Sequence, residues 1–244
     1  MPRFNLLGSR KGRLTTFGLL YISEGIPYGF TTTAMVAFMR TQGVSLTQIG
    51  IFTAALFIPW SFKWAWAPVI DLVKLHRFGG RKAWILACTT LMIVTLMFVA
   101  AVDFHSNFQL LLAAVVLNNF FCATQDVAID SLAVSTLQAD ERARGNGFMF
   151  GGQYLGIGLG GGGAVFVFGL YGFDIALVYI SGLMFLSLLF VLFFVWDPGV
   201  RDVAAEPGQD VLGRLRREVV GFLKELYTSF LQSGSGPRIG LLFA

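Results

Sequence analysis

The 244-residue chain is 55% hydrophobic, 15% aromatic and only 13% charged, with a mean hydropathy of +0.70. Soluble domains carry about a quarter charged residues; this composition excludes a wholly water-exposed surface, and lipid must be the solvent for much of the chain. A net charge of +4 and a pI near 9.3 would suit a nucleic-acid partner, but the placement of the basic residues argues against one.

Residues 1–13 form a basic N-terminus with Arg3, Arg10, Lys11 and Arg13. The apolar run that follows has no small-residue cleavage signal, so it reads as a retained span and not a leader. A hydrocarbon core of about 30 Å takes about 20 helical residues. Six segments reach that length: Leu14–Met39, Gln48–Ile70, Ala83–Val102, Phe108–Leu137, Gly147–Leu170 and Phe173–Trp196. Short connections bearing Gly43, Gly79, Gly80, Gly145 and Gly172 force antiparallel neighbours. The prediction is an all-α membrane protein with a six-helix bundle over residues 14–196. Sixteen of the eighteen Lys and Arg residues then fall on the side of the N-terminus. The exceptions are Arg40, in an outer loop, and Lys63, within span 2. This asymmetry places the N-terminus in the cytoplasm, assigns the basic residues to topology, and leaves no nucleic-acid footprint.

Residues 197–238 turn polar. Within them Leu212, Leu215, Val219, Phe222, Leu226 and Phe230 recur at helical spacing between basic residues. That pattern fits an amphipathic helix, on the inner leaflet or on the cytoplasmic ends of the bundle. Residues 239–244 resume an apolar run that reads as the start of a seventh span, so the chain is expected to be one part of a longer protein. Cys88 and Cys122 lie in apolar runs and are expected as small buried thiols.

Charges inside spans carry the functional signal, because each costs about 2.5–3.5 kcal/mol at the bilayer centre unless it faces the protein interior and has a partner. Glu24 lies about 15 Å into span 1 and Lys63 about 12 Å into span 2. Asp130 and Asp126 lie about 10 and 16 Å into span 4. All four fall in one slab on the cytoplasmic side of the midplane. An ion pair between Glu24 and Lys63 is expected from their matching depths on adjacent helices. Asp126 and Asp130, four apart, share a face with Asn118, Asn119, Gln125 and Cys122 nearby. Two carboxylates on one face of a low-dielectric cavity cannot both stay cheaply ionised, so one is expected to carry a proton.

Gly152, Gly156 and Gly160 give span 5 a small-residue face that admits a close helix neighbour. Pro27, Pro59 and Pro68 are expected to break the ladders of spans 1 and 2, and an interruption beside Glu24 would mark a binding site.

At these residues the chain resembles the major facilitator superfamily, in the branch of AmpG-type muropeptide permeases and acetyl-coenzyme A transporters. The resemblance rests on Glu24-Gly25-Ile26-Pro27, on residues 62–71 (Phe62-Lys63-Trp64 through Pro68 to Asp71), and on Phe78-Gly79-Gly80-Arg81-Lys82-Ala83-Trp84. It continues in Thr124-Gln125-Asp126-Val127-Ala128-Ile129-Asp130 and Glu141-Arg142-Ala143-Arg144-Gly145. It implies the N-terminal six-helix half of a twelve-helix fold in the inner membrane, a C-terminal half as partner, and proton-coupled uptake of a muropeptide-like or other bulky polar solute. It points to gating contacts at Asp71, Gly80, Arg81 and Lys82; Pro27 and the face of Gly152, Gly156 and Gly160 are expected, from the residues themselves, to serve either static packing or a gating motion. The resemblance implies no cofactor and no metal.

Two rival functions remain. A non-transporting sensor or scaffold could use the same fold. An intramembrane prenyltransferase could use Asp126-x-x-x-Asp130, but spans 5 and 6 offer no second acidic cluster, only Asp174.

Overall fold

The computed structural model describes residues 5–72, 79–100 and 107–197, together with 220, 221 and 224. The described residues are helical throughout, apart from turns and loops. In chain order the helices are α1 (Arg10–Gly29), α2 (Met35–Thr41), α3 (Leu46–Leu72), α4 (Arg81–Ala100), α5 (Phe108–Thr136), α6 (Arg142–Gly158), α7 (Ala164–Tyr171) and α8 (Phe173–Phe194).

Local chemistry sets several boundaries. The Ser9 hydroxyl accepts from the Gly12 N–H at 3.2 Å and caps α1. Ser45 and Gln48 form a capping box before α3: the Gln48 N–H reaches Ser45 Oγ at 3.2 Å, and the Ser45 N–H reaches Gln48 Oε1 at 3.3 Å. Gly43 (φ +73°) ends α2, and Gly172 (φ +88°) makes the tight turn between α7 and α8; L side chains rarely adopt such angles.

The prolines do not interrupt their helices. α3 runs unbroken past Pro59 and Pro68. Past Pro27, α1 passes through a π-helical turn, Phe30–Ala34, directly into α2. The turn widens the ladder just after the proline, and the Thr31 and Thr32 hydroxyls donate to the Pro27 and Tyr28 carbonyls at 2.9 and 2.7 Å. A second π turn, Leu159–Gly163, joins α6 to α7. Span 5 also begins earlier than the glycine pattern implies, at Arg142, which puts Gly145 inside a helix.

Among the described residues four helical stretches are long and apolar enough to cross a membrane: Arg81–Val99, Phe108–Thr136, Arg142–Tyr171 and Phe173–Phe194. Large apolar side chains such as Phe62, Phe150, Phe166, Val178, Leu186 and Phe193 cover the exterior, which suits lipid rather than water.

The closest packing joins α1 to α6. An added Cβ at Gly152, Gly156 or Gly160 would meet the carbonyl oxygen of Gly18, Ile22 or Ile26 at 2.2, 2.3 or 1.9 Å. Reciprocally, Gly25 and Gly29 leave room for the Gln153 and Ile157 carbonyls. The glycine face therefore meets a second glycine face, backbone against backbone.

Elsewhere α5 packs between α3 and α4, and α8 closes against α4 and α7. Among the described residues the buried apolar side chains form two clusters. One holds Phe30, Met35, Phe52, Met92, Leu111 and Ile180; the other holds Phe17, Leu20, Ile85, Ile129, Leu132 and Val191. Near their boundary the buried residues turn polar, at Ser23, Glu24, Thr89, Gln125 and Asp126. Cys88 and Cys122 are buried free thiols.

The amphipathic helix expected over 212–230 and the apolar run at 239–244 lie outside the described residues, except that Val220, Gly221 and Lys224 are helical. The loop of residues 73–78 and the side chain of Asp71 also lie outside them.

Candidate functional site

The site is built from α1, α3, α5 and α6. Lys63, about two and a half turns before the end of α3, is carried towards α5 because α3 packs on that helix. Its ammonium donates to the Asp126 carboxylate on α5. The expected Glu24–Lys63 pair is therefore not formed. Glu24 lies on α1, whose closest partner is α6, and there the Gln153 amide donates to Glu24 Oε1 at 2.9 Å. Glu24 is 1% exposed, and its Oε2 has no hydrogen-bond partner among the described residues. Asp130, one turn beyond Asp126, accepts from the Tyr21 hydroxyl on α1. Glu24, Asp126, Asp130 and Lys63 interact electrostatically with one another, so the layer sets three carboxylates around one ammonium.

The amides expected beside these carboxylates mostly turn away. Asn118 donates to the Met92 carbonyl at 3.0 Å and to the Thr95 hydroxyl at 2.8 Å, both on α4. Gln125 donates to Thr89, also on α4, at 2.6 Å. The two lie seven apart and so share the α4-facing side of α5, whereas Asp126 is rotated about 100° from Gln125. Asn119 does face α3, accepting from the Trp60 indole at 3.5 Å. Cys122 points at the Glu24 carbonyl, 3.8 Å away.

A cavity of about 600 Å³ opens beside the layer, lined by Lys63, Trp64, Ala67, Arg81, Val127, Asp130, Ser131, Val134 and Ser135. Arg81 enters it from the start of α4, after Gly79 and Gly80 turn the chain with φ of +99° and +70°. Its Nε donates to Ser131 Oγ at 2.6 Å and its Nη1 to Ser135 Oγ at 3.2 Å. Asp197 lies 3.6 Å from Nη1 and also accepts the Arg81 backbone N–H at 3.0 Å. Lys82 points the other way. It donates to the Leu192 carbonyl of α8 at 2.7 Å and stands over the Trp196 ring at 3.8 Å. Arg81 thus joins the cavity, while Lys82 ties α4 to α8.

Sequence reasoning passed over Tyr21, Gln153, and the pair of Arg13 with Glu141. Tyr21 lies three residues before Glu24, on the same face. Gln153 is the one amide of α6 beyond its first, basic stretch, which holds Asn146, and both facts were visible signals. Arg13 grips Glu141 through Nε and Nη2 at 2.8 and 2.6 Å and also donates to the Leu7 carbonyl at 3.2 Å. Arg10 stands 3.8 Å from Glu141 and 3.4 Å from Asp140. The Arg13 hydrogen bond holds the Glu141 carboxyl below its ordinary range. The same bond raises the Arg13 guanidinium. This clasp ties the start of α1 to the connection before α6, at one end of the glycine interface.

A family profile described as Major Facilitator Superfamily matches residues 17–241. The anhydromuropeptide permease of Escherichia coli strain K12 is 28% identical over 144 residues, covering 59% of this chain and 29% of that protein. A Rickettsia felis relative carrying the name AmpG 4 is 23% identical over 185 residues, covering 74% of this chain and 44% of the relative. An uncharacterized membrane protein of Saccharomyces cerevisiae is 30% identical over 145 residues, covering 50% and 26% respectively. The chain thus spans less than half the length of each of these relatives.

Proposed function

The chain belongs to the Major Facilitator Superfamily, and from that premise we propose that its bundle is the solute- and proton-handling half of a secondary transporter working by alternating access. Membership of that family and the likeness to a permease support reading the protein as a multi-pass membrane transporter rather than an enzyme. In the proposed arrangement six spans cross the inner membrane with the N-terminus in the cytoplasm, a reading that the distribution of Lys and Arg supports. Since the chain corresponds to under half of its relatives, the proposed activity is that of this bundle facing a further membrane-spanning half.

The observation that carries the reading is the Lys63–Asp126 pair, its carboxylate buried and its lysine half-buried, with Glu24 and Asp130 beside it, next to the cavity. Ionisable groups inside a membrane bundle are costly, and when they meet in a cluster beside a cavity they mark solute and ion pathways. Three carboxylates stand near one ammonium here, and only Asp126 pairs with it. Adding or removing a proton changes whether Lys63 stays on Asp126, and this couples proton occupancy to the shape of the α3–α5 seam. The glycine faces of α1 and α6 let the two backbones pack closely while a gating motion passes through them. The proposed cargo is a muropeptide-like or other bulky polar solute, by analogy with the printed name of the Escherichia coli relative.

The test is uptake of a labelled anhydromuropeptide in cells carrying the complete gene, with the proton gradient intact or collapsed by a protonophore. Gradient-dependent uptake is expected. Uptake that ignores the gradient would remove the coupling, and none at all would remove this cargo.

A further inference from the structure

The cavity beside the layer has an unbalanced charge. Asp126 is neutralised by Lys63 and Asp197 by Arg81. Glu24 does not line the cavity and is 1% exposed. Asp130 does line it, and its hydrogen-bond donor is the uncharged Tyr21 hydroxyl. Among the described residues no ion pair reaches Asp130. The cavity wall therefore presents two cations, each already matched by a carboxylate, and, whenever Asp130 is ionised, one carboxylate that no cation within salt-bridge distance matches. Trp64, 55% exposed, lines the same cavity and offers an aromatic surface. A carboxylate and an indole on one wall make the combination that receives an alkylammonium group, through a charge-assisted hydrogen bond and a cation–π contact.

We infer that this cavity binds the positively charged amine of its solute, with Asp130 accepting from the ammonium and Trp64 flanking it. The inference rests on the reading of the polar layer as a solute site and names the chemistry that site selects. Ser131 and Ser135 do not compete for this role. Their oxygens accept from Arg81, and the Ser135 hydroxyl donates to the Leu132 carbonyl at 2.9 Å. The ammonium brings the cavity to neutrality without disturbing either existing pair. An anionic group, by contrast, would have to displace Asp126 from Lys63 or Asp197 from Arg81.

The test uses the protein purified in lipid nanodiscs, with tyramine and N-acetyltyramine as probes. They share an aromatic body and differ in the charged amine. Tyramine is expected to bind at least about 10-fold more tightly than the acetylated probe, a difference of about 1.4 kcal/mol. Asp130→Asn is expected to abolish the discrimination and Asp130→Glu to retain it, so the proposal stays testable if one variant fails to fold. Equal binding of the two probes to the native protein would overturn the inference, as would an Asp130→Asn protein that still prefers tyramine, or no tyramine binding at all. Failure of the transporter reading shows separately, as absent gradient-driven uptake with the amine preference intact.

Discussion

Replacing Gly156 by alanine tests the backbone contact on which the whole site is hung. A Cβ there would sit 2.3 Å from the Ile22 carbonyl oxygen and 2.9 Å from the Gly25 Cα. Both obstacles are backbone, so no side chain can swing aside. To restore even the 3.0 Å that real Cβ contacts essentially never undercut, α1 and α6 must part by about 0.7 Å. Overpacking of this kind costs about 1–3 kcal/mol, against a gain of up to about 1 kcal/mol from replacing glycine within a helix. Gly151 supplies the control. It lies on α6 too, and nothing stands within 4 Å of its added Cβ, so Gly151→Ala keeps the gain without the clash. Thermal unfolding of the protein in nanodiscs should show Gly156→Ala several degrees below Gly151→Ala, at about 2–4 °C per kcal/mol. The separation would also stretch the 2.9 Å Gln153–Glu24 hydrogen bond, since Gln153 sits just under one turn before Gly156. A Gly156→Ala protein as stable as Gly151→Ala would refute the close packing, and with it the positioning of Glu24.

Lys63→Met should cost more than Lys63→Met combined with Asp126→Asn, because the single change leaves a carboxylate buried without its cation. Unfolding temperatures that fall equally in both would show the pair to be idle. Gln153→Leu removes the donor that holds Glu24, and is expected to lower folded yield by an amount that Glu24→Gln partly restores, as read by size-exclusion profiles of solubilised protein. The Arg13–Glu141 clasp predicts a pH dependence of defined sign. Glu141 is held below its ordinary value of 4.5, so its contribution is fully present above that pH and is lost as pH falls through the lower, folded value. Glu141→Gln should therefore lower the unfolding temperature by a constant amount above about pH 5, with the gap to the native protein closing in more acidic buffer. A gap that persists or widens in acid would contradict the clasp.

The helical architecture was legible because lipid leaves little choice: an apolar run of span length forms a helix, and Gly43 or Gly172 can be read directly as turns. The α1–α6 contact was legible in part, since Gly152, Gly156 and Gly160 announce a close neighbour without naming it. Its identity depends on Gly18, Gly25 and Gly29, whose spacing on α1 is less regular. The ion pair was misread for a physical reason. Depth along a helix comes from counting residues, but direction around it depends on which neighbour packs there. Glu24 and Lys63 have matching depths and different partners, because α1 leans on α6 and α3 on α5. The same rotation separates Gln125 from Asp126, adjacent in sequence yet facing α4 and the polar layer respectively. The prolines misled because α3 runs on past Pro59 and Pro68, and Pro27 is followed by a π turn within a continuous helical run.

Transport by an Asp126→Asn variant tests the central claim most directly. Gradient-driven uptake of labelled anhydromuropeptide would be compared between the native and variant genes, with folded protein quantified in the same membranes. Uptake should fall at least 10-fold, equivalent to about 1.4 kcal/mol, while folded yield stays within about a factor of two. Uptake unchanged at equal yield would show that the Lys63–Asp126 layer only locks the bundle, and would contradict its role in moving solute or proton.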